Sequence, residues 1–402
     1  MDRFACVRCG RTYDPDVFSI FCPHCREPLS VAPDPARPRA FHLDRRRPLE
    51  RFLDFLPLDS FDPALSLGEG DTPLVHLERL GRKVGCEALY AKNEAQNPTG
   101  SFKDRGTAVA VQKAVALGLR RIGTVSTGNM AVSTAAYGAR AGLETYVLLK
   151  EGTSRATLAA AAIFGPVLVA VRGDYGRLFH DSLALGRELG VYFMNSVDPF
   201  RVEGYKVAAF ETYFELGRTA PDLILVPLSS GGHLLGWLRA FDDLRAAGGL
   251  GRYPTFVGVQ AAGCAPLARA FASGKERYER FDKPETIAHA ISNPAPPAGD
   301  TVLRKIRAEH GLIMAVTDEE MLAAQKLLAA EEGLFVQPES AVTLAGLIQL
   351  LESGRVGREE RTLLVLTGSG LKAMAALEKT PFATHDLALE GLADGLRRLV
   401  RS

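Results

Sequence analysis

The chain contains the segment Asn97-Pro98-Thr99-Gly100-Ser101-Phe102-Lys103-Asp104-Arg105-Gly106, in which a polar loop with Gly and Pro leads to a lysine and then to residues with helical spacing. A lysine at this place lies near the positive end of a helix and in a partly dry crevice, and both surroundings lower its pKa. The neutral amine that results is the form that condenses with an aldehyde. By itself, the pattern is more often that of a solvated capping lysine.

Short apolar runs alternate with longer segments of helical spacing over most of the chain. The predicted strands include 122–125, 145–149, 167–171, 223–226, 256–259 and 363–366. The predicted helices are 104–117, 130–141, 155–164, 175–189, 201–217, 232–247, 318–332 and 340–353. Strands that alternate with helices predict βαβ units, an α/β fold and a mostly parallel sheet with both faces covered. Ligands of such folds bind beyond the carboxyl ends of strands.

Three further turns follow predicted strands and consist largely of small or hydroxyl-bearing residues. In Ser126-Thr127-Gly128-Asn129, small residues let the backbone approach a flat ligand and Asn129 offers a donor and an acceptor, although it also fits an N-cap. The turn Ser229-Ser230-Gly231-Gly232-His233 opens a helix and predicts an anion site. Its glycine spacing fits neither a dinucleotide fingerprint nor a nucleotide-triphosphate loop. The last turn is Thr367-Gly368-Ser369-Gly370-Leu371-Lys372.

Four of the six cysteines form two Cys-x-x-Cys pairs near the N-terminus: Cys6, Cys9, Cys22 and Cys25. Each pair predicts a tight knuckle with converging thiolates, and four thiolates suit a tetrahedral zinc ion. Such a zinc ion would be structural, because four protein ligands leave no open coordination position. A surface redox pair or a ribbon that has lost its metal would show the same pattern. Cys86 and Cys264 are isolated and predict small buried residues.

The four turns, in this order, resemble the fold-type II pyridoxal-phosphate enzymes and, within them, the threonine synthase family. Two other segments share the resemblance, Gly70-Asp71-Thr72-Pro73-Leu74 and Asn195-Ser196-Val197-Asp198-Pro199-Phe200-Arg201-Val202-Glu203-Gly204. It extends from about Leu67 to Met374 and is most specific over residues 98–106. It implies two parallel-sheet α/β domains of the tryptophan synthase β-like kind, preceded by a small zinc ribbon, and a pyridoxal 5′-phosphate cofactor in a homodimer.

The resemblance also implies a role for residues in each turn. Lys103 would hold the cofactor as a Schiff base and later move protons on the substrate, with Phe102 against the cofactor region. Asn129 would bond the 3′-oxygen of the pyridine ring, and Thr367 would face the ring nitrogen. The cofactor phosphate would be held by the turn that consists of Ser229, Ser230, Gly231, Gly232 and His233.

The family's reaction removes phosphate from O-phosphohomoserine and adds water at the β-carbon to give threonine, so it needs a second anion site. The resemblance assigns this site to Asn195, Ser196 and Arg201, and the arginine fork suits phosphate because it binds bidentately. The chain departs from the family pattern at Met130, where a hydroxyl residue is usual, and at Gln337, where a Glu-Pro motif usually begins. The cofactor loop also has serines and a histidine where the family is richer in Asn.

These departures leave other activities open. One alternative is a β-replacement or elimination enzyme acting on another activated amino acid. Candidates are a cysteate synthase, which uses O-phosphoserine and sulfite, and a dehydratase or lyase. A more distant alternative is a non-catalytic or nucleic-acid-binding protein built around the ribbon.

Composition and charge limit the classes of function. The 402 residues carry 48 basic and 47 acidic side chains, a formal net charge of +1, which gives no basic surplus for capturing nucleic acid. No run approaches the roughly 18–20 apolar residues of a membrane span, and the first residues lack the apolar core of a signal peptide. We therefore expect a cytoplasmic enzyme with a small amino-acid substrate and with neither nucleic acid nor membrane as a partner.

The sequence also predicts a domain order. The zinc ribbon would occupy residues 1–30, and a linker rich in Pro and Arg would occupy residues 31–50. The catalytic region would be 51–402, with a smaller α/β subdomain, roughly 104–217, inserted in the larger one.

Overall fold

The computed structural model describes residues 3–153, 155–173, 175–374, 384–387 and 389–401. Within these ranges it contains thirteen strands in three sheets. In chain order they are β1 (Arg3–Cys6), β2 (Thr12–Tyr13), β3 (Leu29–Ala32), β4 (Leu74–His76), β5 (Leu89–Asn93), β6 (Arg121–Val125), β7 (Glu144–Lys150), β8 (Val167–Val171), β9 (Tyr192–Phe193), β10 (Leu223–Pro227), β11 (Thr255–Ala261), β12 (Leu312–Val316) and β13 (Thr362–Leu366).

The same ranges contain thirteen α-helices. They are α1 (Pro48–Arg51), α2 (Glu78–Val84), α3 (Lys103–Ala116), α4 (Asn129–Arg140), α5 (Arg155–Ala162), α6 (Tyr175–Leu189), α7 (Pro199–Glu215), α8 (Gly232–Ala246), α9 (Pro266–Ala272), α10 (Gly299–Ala308), α11 (Asp318–Glu332), α12 (Pro338–Glu352) and α13 (Leu392–Arg401). Among the described residues, we find no helix that is both long and apolar enough to cross a membrane.

Two mostly parallel sheets form the body of the protein. The larger has the order β12-β11-β10-β13-β5-β4 and is parallel except for the edge pair β4–β5. The smaller has the order β8-β7-β6-β9 and is parallel throughout. Parallel neighbours require crossover connections, which the helices between the strands supply. The predicted α/β fold class is confirmed.

The N-terminal cysteine segment forms the third sheet, which is antiparallel with the order β2-β1-β3. Its last strand continues to Ala32, and the chain that follows is bonded to the body. Arg37 Nη2 donates to the Leu58 carbonyl oxygen (2.7 Å), and Arg39 Nη1 donates to Asp243 Oδ1 (2.8 Å). The division of the chain at residues 30 and 50 stays a prediction.

The larger sheet is buried because helices cover its faces. Every residue of β10 and of β13 is buried, which explains their continuous apolar runs. Helix α7 packs between α3 and α8. Glycines allow the close crossing of α3 and α7, since a Cβ added at Gly106 or at Gly204 would overlap atoms of the other helix.

A network of buried charges lies where β5, α3 and α7 meet. Arg105 Nε donates to Glu94 (2.6 Å) and its Nη2 donates to Glu211 (2.7 Å), while Lys92 Nζ lies 3.0 Å from Glu211. All four side chains are almost fully buried, and their charges balance. Removing one partner of such a network leaves an uncompensated charge in the interior. The network therefore holds the start of α3, and with it Lys103, against α7 and the sheet.

Candidate active site

Three segments meet beyond the carboxyl ends of the strands in the larger sheet. Phe102 N donates to the Thr367 carbonyl oxygen (3.0 Å), and Ser101 forms an antiparallel bridge with Gly368. On the other side, Gln337 N donates to the Gly368 carbonyl oxygen (2.9 Å). The structure thus brings the turn of Lys103 and the turn of Thr367 together at the sheet edge where open α/β folds bind ligands.

Lys103 is the first residue of α3, and its amine lies in a dry and cationic environment. Burial and, second, the positive charge of Arg201 lower the pKa of Lys103 to about 7. Its Nζ lies 4.3 Å from the centre of the Phe102 ring. A substantial share of this amine is unprotonated at neutral pH, and the unprotonated form is the nucleophile. The surroundings of Lys103 therefore favour its attack on an aldehyde.

Two charged side chains hold the loop before Lys103. Asp104 accepts hydrogen bonds from Thr99 N (2.7 Å) and from Thr99 Oγ1 (2.6 Å). Lys372 Nζ donates to the Thr99 carbonyl oxygen (2.7 Å). Gly100 has φ +76°, a left-handed conformation that costs glycine little. These contacts determine the path of the loop and so the place of the lysine amine.

The turn after β10 has the geometry of an anion site at the N-terminus of α8. Gly231 has φ +96°, and a Cβ added there would lie 3.0 Å from Ala298 Cβ. A Cβ at Gly232 would overlap the carbonyl oxygen of Ser196. Both glycines are therefore required by close packing. The first N–H groups of any helix lack intrahelical acceptors, so this turn offers donors to an anion.

His233 lies on the same turn, and its imidazole ring is neutral and has one donor without a partner among the described residues. Its Nε2 accepts a hydrogen bond from Trp237 Nε1 (3.1 Å), so a neutral ring carries its proton on Nδ1. Burial and, second, the charge of Lys103 hold the pKa of His233 well below its usual value. Nδ1 is buried and has no hydrogen-bond partner among the described residues. The ring also stacks on Phe102 at 3.8 Å between centroids, which places it beside Lys103.

Asn129 and Thr367 each bond a residue at the start of α12. Asn129 Nδ2 donates to Gln337 Oε1 (2.7 Å), and Thr367 Oγ1 lies 2.9 Å from Ser340 Oγ. A Cβ at Gly368 would overlap Gln337 Oε1, so any side chain at this position would displace the Gln337 amide. Asn129 keeps one amide hydrogen and its Oδ1 for a ligand.

Arg201 lies on α7 behind Lys103. Its Nη2 is 3.4 Å from the Lys103 carbonyl oxygen and 3.5 Å from the Tyr205 hydroxyl, both long contacts. Its Nε and Nη1 are buried without hydrogen-bond partners in the described structure. Leaving charged donors unsatisfied in the interior is costly, so the guanidinium is suited to an anion that supplies acceptors.

Asn195 and Ser196 lie in the loop between β9 and α7. Asn195 Oδ1 accepts from Val125 N (2.9 Å), and Nδ2 donates to Ser182 Oγ (3.1 Å), so this side chain ties the end of β6 to α6. Ser196 is half-buried, and its carbonyl oxygen lies against Gly232. The loop is thus adjacent to the turn after β10. The roles of both residues toward a substrate stay predictions.

Sequence reasoning missed three residues that support this site. Ser340 contacts Thr367, Trp237 sets the tautomer of His233, and Asn293 Nδ2 donates to Ser230 Oγ (2.9 Å). Trp237 could have been found, because it lies one helical turn after His233 in a predicted helix. Asn293 lies in an irregular segment far along the chain, and nothing local in the sequence points to it.

The Sγ atoms of the four ribbon cysteines converge near the N-terminus. Their Sγ atoms all lie within 4.8 Å of one another, with separations of 3.1 Å for Cys6 and Cys25 and 3.8 Å for Cys9 and Cys22. A tetrahedron of thiolates with Zn–S bonds of about 2.3 Å has edges of about 3.8 Å. The donor set therefore fits zinc in both chemistry and size.

Comparison with known proteins gives a consistent family. Residues 65–368 match the family described as pyridoxal-phosphate dependent enzyme. Threonine synthase of Methanocaldococcus jannaschii is 39% identical over 373 residues, which cover 91% of this chain and 92% of that protein. Threonine synthase of Methanosarcina acetivorans is 36% identical over 92% of each chain. That of Mycobacterium tuberculosis is 37% identical over 83% of this chain and 91% of its own.

Solved structures with the same fold are more distant in sequence. The processed form of threonine deaminase isoform 2 from Solanum lycopersicum has a TM-score of 0.63 at 18% identity and covers 81% of this chain and 87% of its own. Maize serine racemase has a TM-score of 0.63 at 17% identity, with 82% of this chain and 92% of that chain covered. At these identities the likeness concerns the fold alone.

Proposed function

Because the chain belongs to the family of pyridoxal-phosphate dependent enzymes, we propose that it is a threonine synthase, which converts O-phospho-L-homoserine and water to L-threonine and phosphate. Relatives named threonine synthase match it over most of their length. The observation that carries the proposal is Arg201, a buried guanidinium with two unpartnered nitrogens behind Lys103. A substrate that bears a phosphate supplies the missing acceptors.

The residues present fit the cofactor. Lys103 offers a reactive amine, the N-terminus of α8 offers backbone donors, and His233 offers a buried Nδ1–H without a partner in the described structure. We assign the aldehyde carbon to Lys103, the 3′-oxygen to Asn129 and the ring nitrogen to Thr367. The phosphate is assigned to the turn Ser229, Ser230, Gly231, Gly232 and His233. When bound, pyridoxal phosphate supplies an electron sink for the carbons of the amino acid.

The side chains divide the remaining tasks. With a pKa of about 7, Lys103 Nζ can carry a proton from one substrate carbon to another, because both its neutral and its protonated form are accessible at neutral pH. Arg201 holds the substrate phosphate and stabilises it as it leaves, and burial strengthens this attraction. Thr367, bonded to Ser340, offers the ring nitrogen a hydroxyl, which does not enforce a protonated ring as a carboxylate would. Asn195 and Ser196 complete the proposed phosphate site.

Replacing Arg201 with methionine is expected to lower kcat/KM for O-phospho-L-homoserine by about 100- to 1,000-fold, because the leaving phosphate loses its charged donors. R201K is the matched control, since it keeps the charge and loses the planar fork, and we expect an intermediate loss. Steady-state kinetics with phosphate release as the readout measures both variants. An R201M enzyme with wild-type kcat/KM would show that this guanidinium does not bind the substrate.

The function itself is tested by supplying the purified enzyme with pyridoxal phosphate and O-phospho-L-homoserine. We expect threonine and phosphate in equal amounts. Met130 favours one competing activity, because a buried thioether beside Asn129 cannot hydrogen-bond a phosphate or a water with any strength, unlike the hydroxyl usual in the family. A yellow enzyme that forms neither product would direct the assignment to a β-replacement or elimination on another activated amino acid, beginning with O-phosphoserine and sulfite.

We also propose that the ribbon cysteines hold a structural zinc ion. We expect about one equivalent of zinc per chain, and Cys25→Ser should lose it, because four-coordinate structural sites need all of their ligands. Cys264→Ser is the control, since Cys264 is a buried thiol outside the cluster. Elemental analysis of the purified proteins is the measurement. A C25S protein that keeps its full zinc content would contradict the site.

A further inference from the structure

Ile20 is a ribbon residue that is buried against the body of the protein. It precedes the second cysteine pair, and its carbonyl oxygen accepts a hydrogen bond from Leu29 N (2.8 Å) within the ribbon. Its side chain is 0% exposed and belongs to one small hydrophobic cluster with Val197 and Ala298. The ribbon therefore inserts an apolar side chain between two segments that are far apart in the chain.

Both partners of Ile20 adjoin a proposed anion loop. Val197 follows Ser196 in the loop before α7. Ala298 N donates to the Ser230 carbonyl oxygen (3.2 Å), and its Cβ faces Gly231. The two loops also touch each other, because the Ser196 carbonyl oxygen lies against Gly232. Ile20 is thus packed behind the point where the loops for the cofactor phosphate and the substrate phosphate meet.

Two sets of contacts hold the ribbon to helices α6 and α10 of the body. On one side, the Phe21 ring packs edge-on against Phe179 of α6 at 6.2 Å between centroids, and α6 also supplies Ser182 to Asn195. On the other side, Glu27 accepts a hydrogen bond from Thr301 Oγ1 (2.6 Å) at the start of α10.

Arg304 of the same helix also donates to Glu27 (3.1 Å), and this carboxylate is almost fully buried. A hydrogen bond between a guanidinium and a carboxylate is charge-assisted and therefore stronger than one between neutral groups. The ribbon is therefore held both to α6, which also bonds the loop before α7, and to α10, which begins directly after Ala298.

We propose that Ile20 is a positioning residue for the two anion loops, so that the ribbon sets the affinity of the enzyme for both phosphates. The proposal rests on the proposed function for the roles of the loops. Packed interiors respond to lost volume by shifts of their neighbours, and the neighbours here are the backbones that carry the phosphate donors. A ribbon that served stability alone would affect unfolding and leave both affinities unchanged.

The test compares Ile20→Ala with Val17→Ala, a buried ribbon residue that is not part of the Ile20 cluster. For I20A we expect the dissociation constant of pyridoxal phosphate and the KM for O-phospho-L-homoserine each to rise about tenfold, with kcat within about twofold. For V17A we expect a lower Tm with both constants near the wild-type values. Equal effects of I20A and V17A on the two constants would overturn the proposal.

Two features keep the outcome clear. If I20A does not fold, Ile20→Val removes a single methyl group and should change the same constants in the same direction by a smaller factor. The dissociation constant of the cofactor is read from visible absorbance and requires no substrate. If the wild-type enzyme makes no threonine, the proposed function fails, whereas an unchanged cofactor affinity in both I20 variants contradicts the role of Ile20.

Discussion

Lys103→Ala is expected to abolish the visible absorbance of the enzyme-bound cofactor and to lower kcat by at least about a thousandfold, because, in the proposed assignment, the variant lacks both the amine that binds the cofactor and the group that moves protons. The fold should persist, since Lys103 makes no hydrogen bond through Nζ in the described structure that other elements depend on. Absorbance spectra and thermal unfolding of the variant measure the two expectations.

Lys113→Ala is the matched control, because Lys113 lies on the same helix and contacts the Phe200 ring on another side. It should keep the absorbance and the activity. An unchanged visible band in K103A would assign the cofactor to a different lysine.

The same amine gives a pH dependence. Its pKa lies at about 7 instead of the usual 10.5, so the neutral fraction rises as pH increases through about 7. The rate at which the cofactor-free protein takes up pyridoxal phosphate should therefore reach half of its plateau near this pH. In R201M the midpoint should move to higher pH, because the charge of Arg201 helps to lower the pKa of Lys103.

Arg105→Met is expected to have the largest effect on stability, a loss of about 3–5 kcal/mol in the free energy of unfolding. The change leaves Glu94 and Glu211 in the interior without their main cationic partner. Denaturant unfolding measures the loss. Arg121→Met is the control, because Arg121 pairs with Glu144 on the surface, and its loss should change the midpoint very little.

The loss in R105M should also depend on pH. Burial raises the pKa of Glu211, but the charges of Arg105 and Lys92 outweigh burial and lower it from 4.5 to about 2. Because the folded pKa is depressed, Glu211 contributes stability above its unfolded pKa, and the contribution is lost as pH falls toward 2. The difference in the free energy of unfolding between wild type and R105M should therefore become smaller below about pH 4.5. If the difference in the free energy of unfolding stayed constant with pH, it would exclude the proposed pairing of an ionised Glu211 with Arg105 and Lys92.

Many elements with strong apolar patterns could be predicted from the sequence, although the apolar strand β12 was not among the predicted ones, and elements that depend on distant partners could not be predicted. The strand at 167–171 and the helices at 175–189 and 318–332 have the predicted bounds. β5 was missed because Lys92 interrupts its pattern. The burial of this lysine is compensated by ion pairs with Glu211 and Glu215 of α7, which lie far along the chain.

The candidate site shows the same division. The turns around Asn129, Ser230 and Thr367 could be identified because each follows a predicted strand and has an unusual composition, and the turn around Lys103 by its composition alone. Their mutual contacts through Gln337, Ser340 and Asn293 could not, since these depend on how α12 and a distant loop pack against the sheet. The homodimer and the cytoplasmic location stay predictions.

His233 and Arg201 differ in how they offer positive potential to an anion. The turn that carries His233 has no formal charge, so backbone dipoles and a neutral imidazole hold the proposed cofactor phosphate, whereas the other site presents a full charge. A phosphate ion released in the proposed reaction is attracted most strongly to the charged site, where the substrate phosphate is proposed to bind. Phosphate should therefore inhibit by competing with the substrate at the charged site, and the cofactor should stay bound. The enzyme would slow as phosphate accumulates and regain its activity when phosphate is removed.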